Sequence, residues 1–445
     1  MPLQSEAGLC YNEPKQKRGS LWPCRTAPEH GVYDMKKICA LLLGVLVFAE
    51  GSGGGQTASS QAESAAPARQ PTKFDQYVSN TVIATGNNKC IDEADGVTYR
   101  GYFPLEAYGT FDYSFYFSNT VDSTWDDGRL GYGGQPGGAY SIAGAAVYDG
   151  GQIQPDGSAL MTGEVLLAEI TFDGSKSRQV APGETFWSDP VSLTLPEDHY
   201  LIWEWTITGK EIPCICMSGL TPAFYSTGGQ FIYANEVPMP VLIGCDRKVG
   251  TKIAAFGDSI TQGCQTTANG RKFWAAQIAG TLGEDYALWN LGLGYARASD
   301  AARGGDWLER AKAYEMVLVA FGTNDIISGR YGGTGADSPE QIEASVRSIV
   351  SALREAGCRV VLFNAPPFDL KPEAEAIRNA YNAAVPKIAE ELGAEYFDFA
   401  ACLADPADPA KALYGGHPND TGCAKAADAF LNQYRALIDS TIQKP

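Results

Sequence analysis

Lys252-Ile253-Ala254-Ala255-Phe256-Gly257-Asp258-Ser259-Ile260-Thr261 is an apolar run of strand length that closes on Gly-Asp-Ser, with a glycine-containing turn and a helix-like segment behind it. A strand-to-helix turn of this kind lifts a serine hydroxyl out of the carboxyl edge of a sheet. There it can act as a nucleophile, and the backbone N–H groups opening the helix can hold an anion.

The same texture continues on the C-terminal side, over residues 245–445. Apolar runs at 252–257, 286–292, 315–321, 359–365 and 395–399 predict strands, and helical patterns lie between them. Ser338-Pro339-Glu340-Gln341 opens one helix, with a capping serine, proline in the first turn and glutamine three residues after the cap. Ile342, Val346, Ile349, Val350 and Leu353 then form one apolar stripe. A second helix carries Ile377, Tyr381, Val385, Ile388 and Leu392, with Pro386 expected to kink it. The last runs from about Thr421, with Phe430, Tyr434, Leu437 and Ile438 inward and Asp420 placed to cap it. Alternating strands and helices imply a parallel sheet covered on both faces, with a site at the carboxyl ends of its strands.

Upstream, residues 73–244 change to short runs broken by Gly, Asp, Asn and Pro. Phe111, Tyr113, Phe115 and Phe117 alternate with smaller or polar residues, as do Leu201, Trp203, Trp205 and Ile207. This period of two predicts half-buried antiparallel strands, hence a β-sandwich of jelly-roll type. The aromatic residues fill its core or form a platform for sugar rings. Residues 50–72 read as a low-complexity tether. Residues 35–49 read as a secretory signal peptide: Met35-Lys36-Lys37, an apolar stretch too short to span a bilayer, and Val47-Phe48-Ala49. Cys39 begins that stretch rather than following it, which argues against a lipid anchor. Residues 1–34 show no periodicity and are expected to derive from a start assigned too early. The expected location is therefore secreted or periplasmic.

A formal charge of −18 argues against nucleic acid or an anionic membrane surface as partner, since both call for basic patches. Of 11 cysteines, 8 follow the expected cleavage point, a number that permits disulfides without fixing their pairing. Cys214-Ile215-Cys216 has no nearby histidine and no second pair at zinc spacing, so a disulfide or buried thiols are expected there rather than a metal. No cofactor is implied. Gly292-Leu293-Gly294 lacks the third glycine and the acidic residue of a dinucleotide loop.

Two further stretches accompany Gly257-Asp258-Ser259. Gly322-Thr323-Asn324-Asp325 closes another apolar run, and Gly416-His417-Pro418-Asn419 precedes the final helix. In this order and spacing the three motifs resemble the SGNH (GDSL-like) hydrolase superfamily, over roughly residues 250–440. The resemblance implies a three-layer α/β/α, flavodoxin-like domain that performs acyl transfer. It makes Ser259 the nucleophile and His417, the only histidine after residue 199, the base. It also implies an oxyanion hole made of the Ser259 N–H, a glycine N–H after the second strand, and the Asn324 side chain. Asp258 and Asp325 are expected to hold loops rather than act as acids.

The chain departs from the family pattern twice. In Asn290-Leu291-Gly292-Leu293-Gly294-Tyr295 the glycine is one residue out of step, so Gly294 is the expected donor and Gly292 the alternative. The acid usually found three residues before the histidine is replaced by Tyr414. Asp405 or Asp408 then supplies it from the preceding loop, or a backbone carbonyl orients the imidazole, and the carbonyl is favoured. The resulting expectation is a secreted serine esterase acting on O-acyl, chiefly O-acetyl, groups of carbohydrates. The rivals are a lysophospholipase or thioesterase, and a carbohydrate-binding protein on a catalytically dead scaffold.

Overall fold

A computed structural model describes residue 69 and residues 71–123, 133–217, 219–327 and 336–440. These all belong to one contact unit of the chain, Ser64–Pro445. The expected extension 1–34, the leader 35–49 and most of the tether 50–72 lie outside the described residues. Near the tether's end, Arg69 pairs with Glu315 at 2.5 Å.

Among the described residues, Val78 to Cys245 form two main antiparallel sheets, of five and eight strands, and a two-stranded ribbon of Thr120–Val121 with Gln135–Pro136. The smaller is built around Gly109–Ser118 and the larger around the long strands Lys89–Pro104, Tyr140–Gln152 and His199–Cys216. Alternate residues face between the sheets, and Phe115 and Phe117 of one meet Trp203 of the other with ring centroids 4.7 and 5.4 Å apart. Tyr113, Phe115, Phe117, Trp203 and Trp205 are all at most 2% exposed. These aromatic residues are therefore core, which removes them as a sugar platform.

The C-terminal sheet has five parallel strands in the order Tyr286–Asn290, Thr251–Gly257, Met316–Ala320, Arg359–Phe363, Glu395–Phe397. They fall within a residue or two of the apolar runs because strands covered on both faces read as unbroken apolar stretches. Ile253, Ala255, Leu318 and Phe363 pack toward the helices Trp274–Leu282 and Asp420–Ser440. Ala254, Phe256, Val319 and Leu362 pack toward Pro339–Glu355 and Pro372–Leu392, the latter running through Pro386. Ser338 and Gln341 form the expected reciprocal cap. Asn419, not Asp420, precedes the last helix and accepts the Gly422 N–H at 3.0 Å. Asp420 instead holds the Thr267 N–H and hydroxyl at 2.8 and 2.6 Å.

In chain order the sheet reads 2-1-3-4-5, so the first and third strands mark the switch point where the connections diverge and a crevice opens. The sandwich packs directly on this domain. Phe74 lies edge-on to Tyr116 and Trp289, with ring centroids 4.9 and 5.3 Å apart, and the Tyr314 hydroxyl accepts the Ser79 N–H at 2.8 Å. Arg310 makes a buried ion pair with Asp122 of the sandwich. Among the described residues no helix is long and apolar enough to cross a membrane, and all eight described cysteines are free thiols.

Candidate active site

Ser259 stands at the switch point, just past the first strand. A Cβ on Gly257 would lie 2.4 Å from the Ala320 carbonyl oxygen and 2.3 Å from Thr261 Oγ1, so only glycine fits between the strands here. The Asp258 carboxylate caps the short helix Ser259–Gln262 by accepting the Ile260 N–H at 2.9 Å. Gly263 ends that helix at φ 110°, a conformation that favours glycine, and its N–H donates to the Ser259 carbonyl at 3.0 Å. The Ser259 N–H opens the helix and has no partner within it. Burial pushes Asp258 up to about 7, and its role is that of a cap.

His417 arrives from the loop before the final helix, 158 residues away in sequence, and its Nε2 lies 2.8 Å from Ser259 Oγ. Gly415 turns at φ 90°, and a Cβ on Gly416 would fall 2.8 Å from the Phe368 ring. That close approach lets Phe368 sit edge-on to the imidazole, with centroids 5.4 Å apart. Burial pulls the His417 pKa below its ordinary value, and no charged neighbour opposes the shift. Asp405 accepts the Ala407 N–H at 2.9 Å and Asp408 the Ala410 N–H at 3.2 Å, each bonded into its own turn two residues on. Neither is bonded to His417. Among the described residues neither a carboxylate nor the favoured backbone carbonyl is hydrogen-bonded to its Nδ1.

Asn324 follows the third strand and lines the same pocket as Ser259 and His417. Its Nδ2 donates to the Ala296 carbonyl at 2.9 Å, which fixes the amide and leaves one of its two N–H groups for another acceptor. Asp325 accepts the Ala298 N–H at 3.0 Å from each carboxylate oxygen and so holds the loop after the second strand.

The glycine donor requires correction. The Gly294 N–H donates to Gln262 Oε1 at 2.7 Å, and the Gly292 N–H to Asn290 Oδ1 at 2.9 Å. Neither is therefore available to a substrate oxygen in this structure. The cause is local: Gln262 is completely buried against the loop, and its amide oxygen takes the donor that the spacing assigned to the site.

The profile of the GDSL-like Lipase/Acylhydrolase family matches residues 255–425, a span holding all three motifs. The chain carries a GDSL-like hydrolase domain. No curated protein matches the chain. Among solved structures, a catalytic mutant of an acetylxylan esterase from Geobacillus stearothermophilus is 21% identical, aligned over 42% of this chain and 94% of its own, with TM-score 0.35. An alpha/beta hydrolase enzyme from the metagenome of Lake Arreo, Spain, is 21% identical over 43% of this chain and 98% of its own, at 0.35. A GDSL-like lipase from Bacteroides thetaiotaomicron VPI-5482 is 16% identical over 43% and 89%, at 0.32.

The pocket of the GDSL-like domain has a volume of about 140 Å³. Besides Ser259, Asn324 and His417 it is lined by Gln262, Gly294 and Tyr295, and by Asn88 and Cys216 of the sandwich. Tyr295 takes φ 65°, a left-handed conformation uncommon for a residue with a side chain. Sequence reasoning missed Gln262, although it lies three residues after the serine in the first motif. It also missed Asn88 and Cys216, because no local pattern marks a sandwich residue as facing a pocket in the next domain. Among the described residues no group of His, Cys, Asp or Glu is placed to hold a metal ion.

Proposed function

We propose that the protein is a secreted serine esterase whose GDSL-like domain removes short acyl groups, chiefly acetyl, from carbohydrates. The reading is carried by the 2.8 Å contact between Ser259 Oγ and His417 Nε2. Burial keeps the imidazole neutral, the form that can take the serine proton. Oγ then attacks the acyl carbon while its proton moves to Nε2. The carbonyl oxygen gains charge beside the Ser259 N–H and the free N–H of Asn324. The alcohol leaves with the proton from Nε2, and water repeats the cycle on the acyl-serine.

A pocket near 140 Å³ is small beside the roughly 300–1,000 Å³ of drug-sized ligand sites, which favours acetyl over a fatty-acyl chain. A scaffold without activity would gain nothing from holding Ser259 against a buried, neutral imidazole. The test is hydrolysis of acetylated sugars and of nitrophenyl esters of increasing acyl length, by wild type and Ser259→Ala. Activity that falls steeply beyond short acyl chains and vanishes in the variant is expected. Retained turnover in a folded Ser259→Ala protein would refute the nucleophile, and a preference for long chains would move the reading to a lysophospholipase or thioesterase.

A further inference from the structure

The sandwich delivers a polar group to this pocket that the chemistry above does not use. Asn88 stands immediately before the strand Lys89–Pro104, is 0% exposed, and lines the pocket together with Ser259, Gln262 and Gly294. Its Oδ1 accepts the Cys216 N–H at 2.8 Å. A backbone N–H can only donate, so this bond fixes which end of the amide is oxygen. At the other end Nδ2 is shut off from solvent and has no hydrogen-bond partner among the described residues. A buried donor left unpaired is destabilising, and so calls for an explanation when it sits in a substrate pocket.

The neighbours of Asn88 place it on one wall of the site. The Cys216 carbonyl accepts from Gln262 Nε2 at 2.8 Å, and Gln262 Oε1 holds the Gly294 N–H at 2.7 Å. Ser123 Oγ lies 2.8 Å from the Gly294 carbonyl oxygen and 3.5 Å from that of Asn88. Asn88 thus belongs to the cluster around Gly294, where the oxyanion hole is one donor short because Gln262 has taken the glycine N–H.

We infer that Asn88 Nδ2 replaces this glycine as a donor to the acyl oxygen of the ester, completing the oxyanion hole from the sandwich. The inference rests on the esterase reading of Ser259 and His417. The accessory sandwich is then part of the catalytic centre. The acceptor it meets is the carbonyl oxygen that becomes an oxyanion, not the alcohol portion of the substrate.

The experiment measures kcat, KM and thermal melting of the full chain with a nitrophenyl acetate, for wild type, Asn88→Asp and Asn88→Ala. Aspartate keeps an acceptor for the Cys216 N–H but loses both donors; alanine loses the donors without adding charge. Both variants should lose about 10–10³-fold in kcat with KM within about threefold, and both should melt below wild type but still cooperatively, since one buries a carboxylate and the other removes the amide oxygen that holds the Cys216 N–H. If Asn88 served only to hold Cys216, the aspartate variant would keep its kcat, and the assignment would fall. A change confined to KM would also overturn it, by placing the amide on the binding of the alcohol side. Wild type that neither hydrolyses esters nor is labelled at Ser259 by a fluorophosphonate would remove the esterase reading and this inference together. An active wild type with an equally active Asn88→Asp would remove this inference alone.

Discussion

Gln262 Oε1 holds the Gly294 N–H at 2.7 Å while the same side chain donates from Nε2 to the Cys216 carbonyl at 2.8 Å. One buried amide therefore ties the loop after the second strand to the sandwich, across the floor of the site.

Replacing that amide by an apolar group of similar size exposes its worth. Gln262→Leu leaves the buried Gly294 N–H unpaired, at a cost of about 1–3 kcal/mol, and removes the donor to the Cys216 carbonyl. A lower urea midpoint is expected, with reduced kcat because the pocket loop loses its anchor. Wild-type stability on equilibrium unfolding would show that the bridge contributes nothing.

The pH profile should report His417. Burial lowers its pKa, so the imidazole loses its proton at a lower pH than a free histidine would. Protonation removes the base, hence kcat/KM should be level at neutral pH and fall only at a pH below the ordinary histidine value of about 6.5. An acid limb centred well above that value would mean a carboxylate faces the ring. Asp405→Asn and Asp408→Asn should each stay within about tenfold of wild type, since both carboxylates are bonded to their own turns, while His417→Ala should be nearly dead. A loss of several orders of magnitude in either asparagine variant would identify a triad acid.

The ion pair of Arg310 and Asp122 is buried on both sides, at 0% and 4% side-chain exposure. Removing Arg310 strands the Asp122 charge, whereas removing Asp122 leaves Arg310 beside Asp306, whose Oδ2 lies 3.1 Å from its Nε. Arg310→Met should therefore cost about 3–5 kcal/mol, whereas the double change Asp122→Leu, Arg310→Met should recover much of that loss. A double variant no better than the single one, by urea unfolding, would place the worth of the pair in its geometry rather than in charge compensation.

Deleting residues 73–244 should abolish turnover of a small acetyl ester as completely as that of an acetylated polysaccharide. Phe74, Tyr116, Val241 and Leu242 share one apolar core with Trp289 and Tyr314, and removal would bare that surface. Asn88 and Cys216 would leave the pocket with it. A truncated chain that folds and keeps its activity on the small ester would make the sandwich a separable attachment.

The sequence by itself determined the parts whose causes are local. Apolar runs buried on two faces gave the five parallel strands, and the stripe Ile342 to Leu353 gave a helix with its cap already legible at Ser338. Gly257 and Gly263 announced the turn at Ser259, because a Cβ at the first collides and the second needs a positive φ. The capping of the last helix was misread by one residue, since Asn419 and Asp420 have side chains of equal capping ability and only the packing of Thr267 against Asp420 separates them. Tertiary structure decided the rest. Gly292 and Gly294 gave no sign in the sequence that their N–H groups turn to Asn290 and Gln262, because a backbone donor's direction depends on which acceptor is packed against it. No local pattern marks Asn88, a polar residue before a strand. It became a pocket residue only when the sandwich docked on the sheet, because hydrogen bonds between distant segments follow from shape and burial and leave no period in the chain.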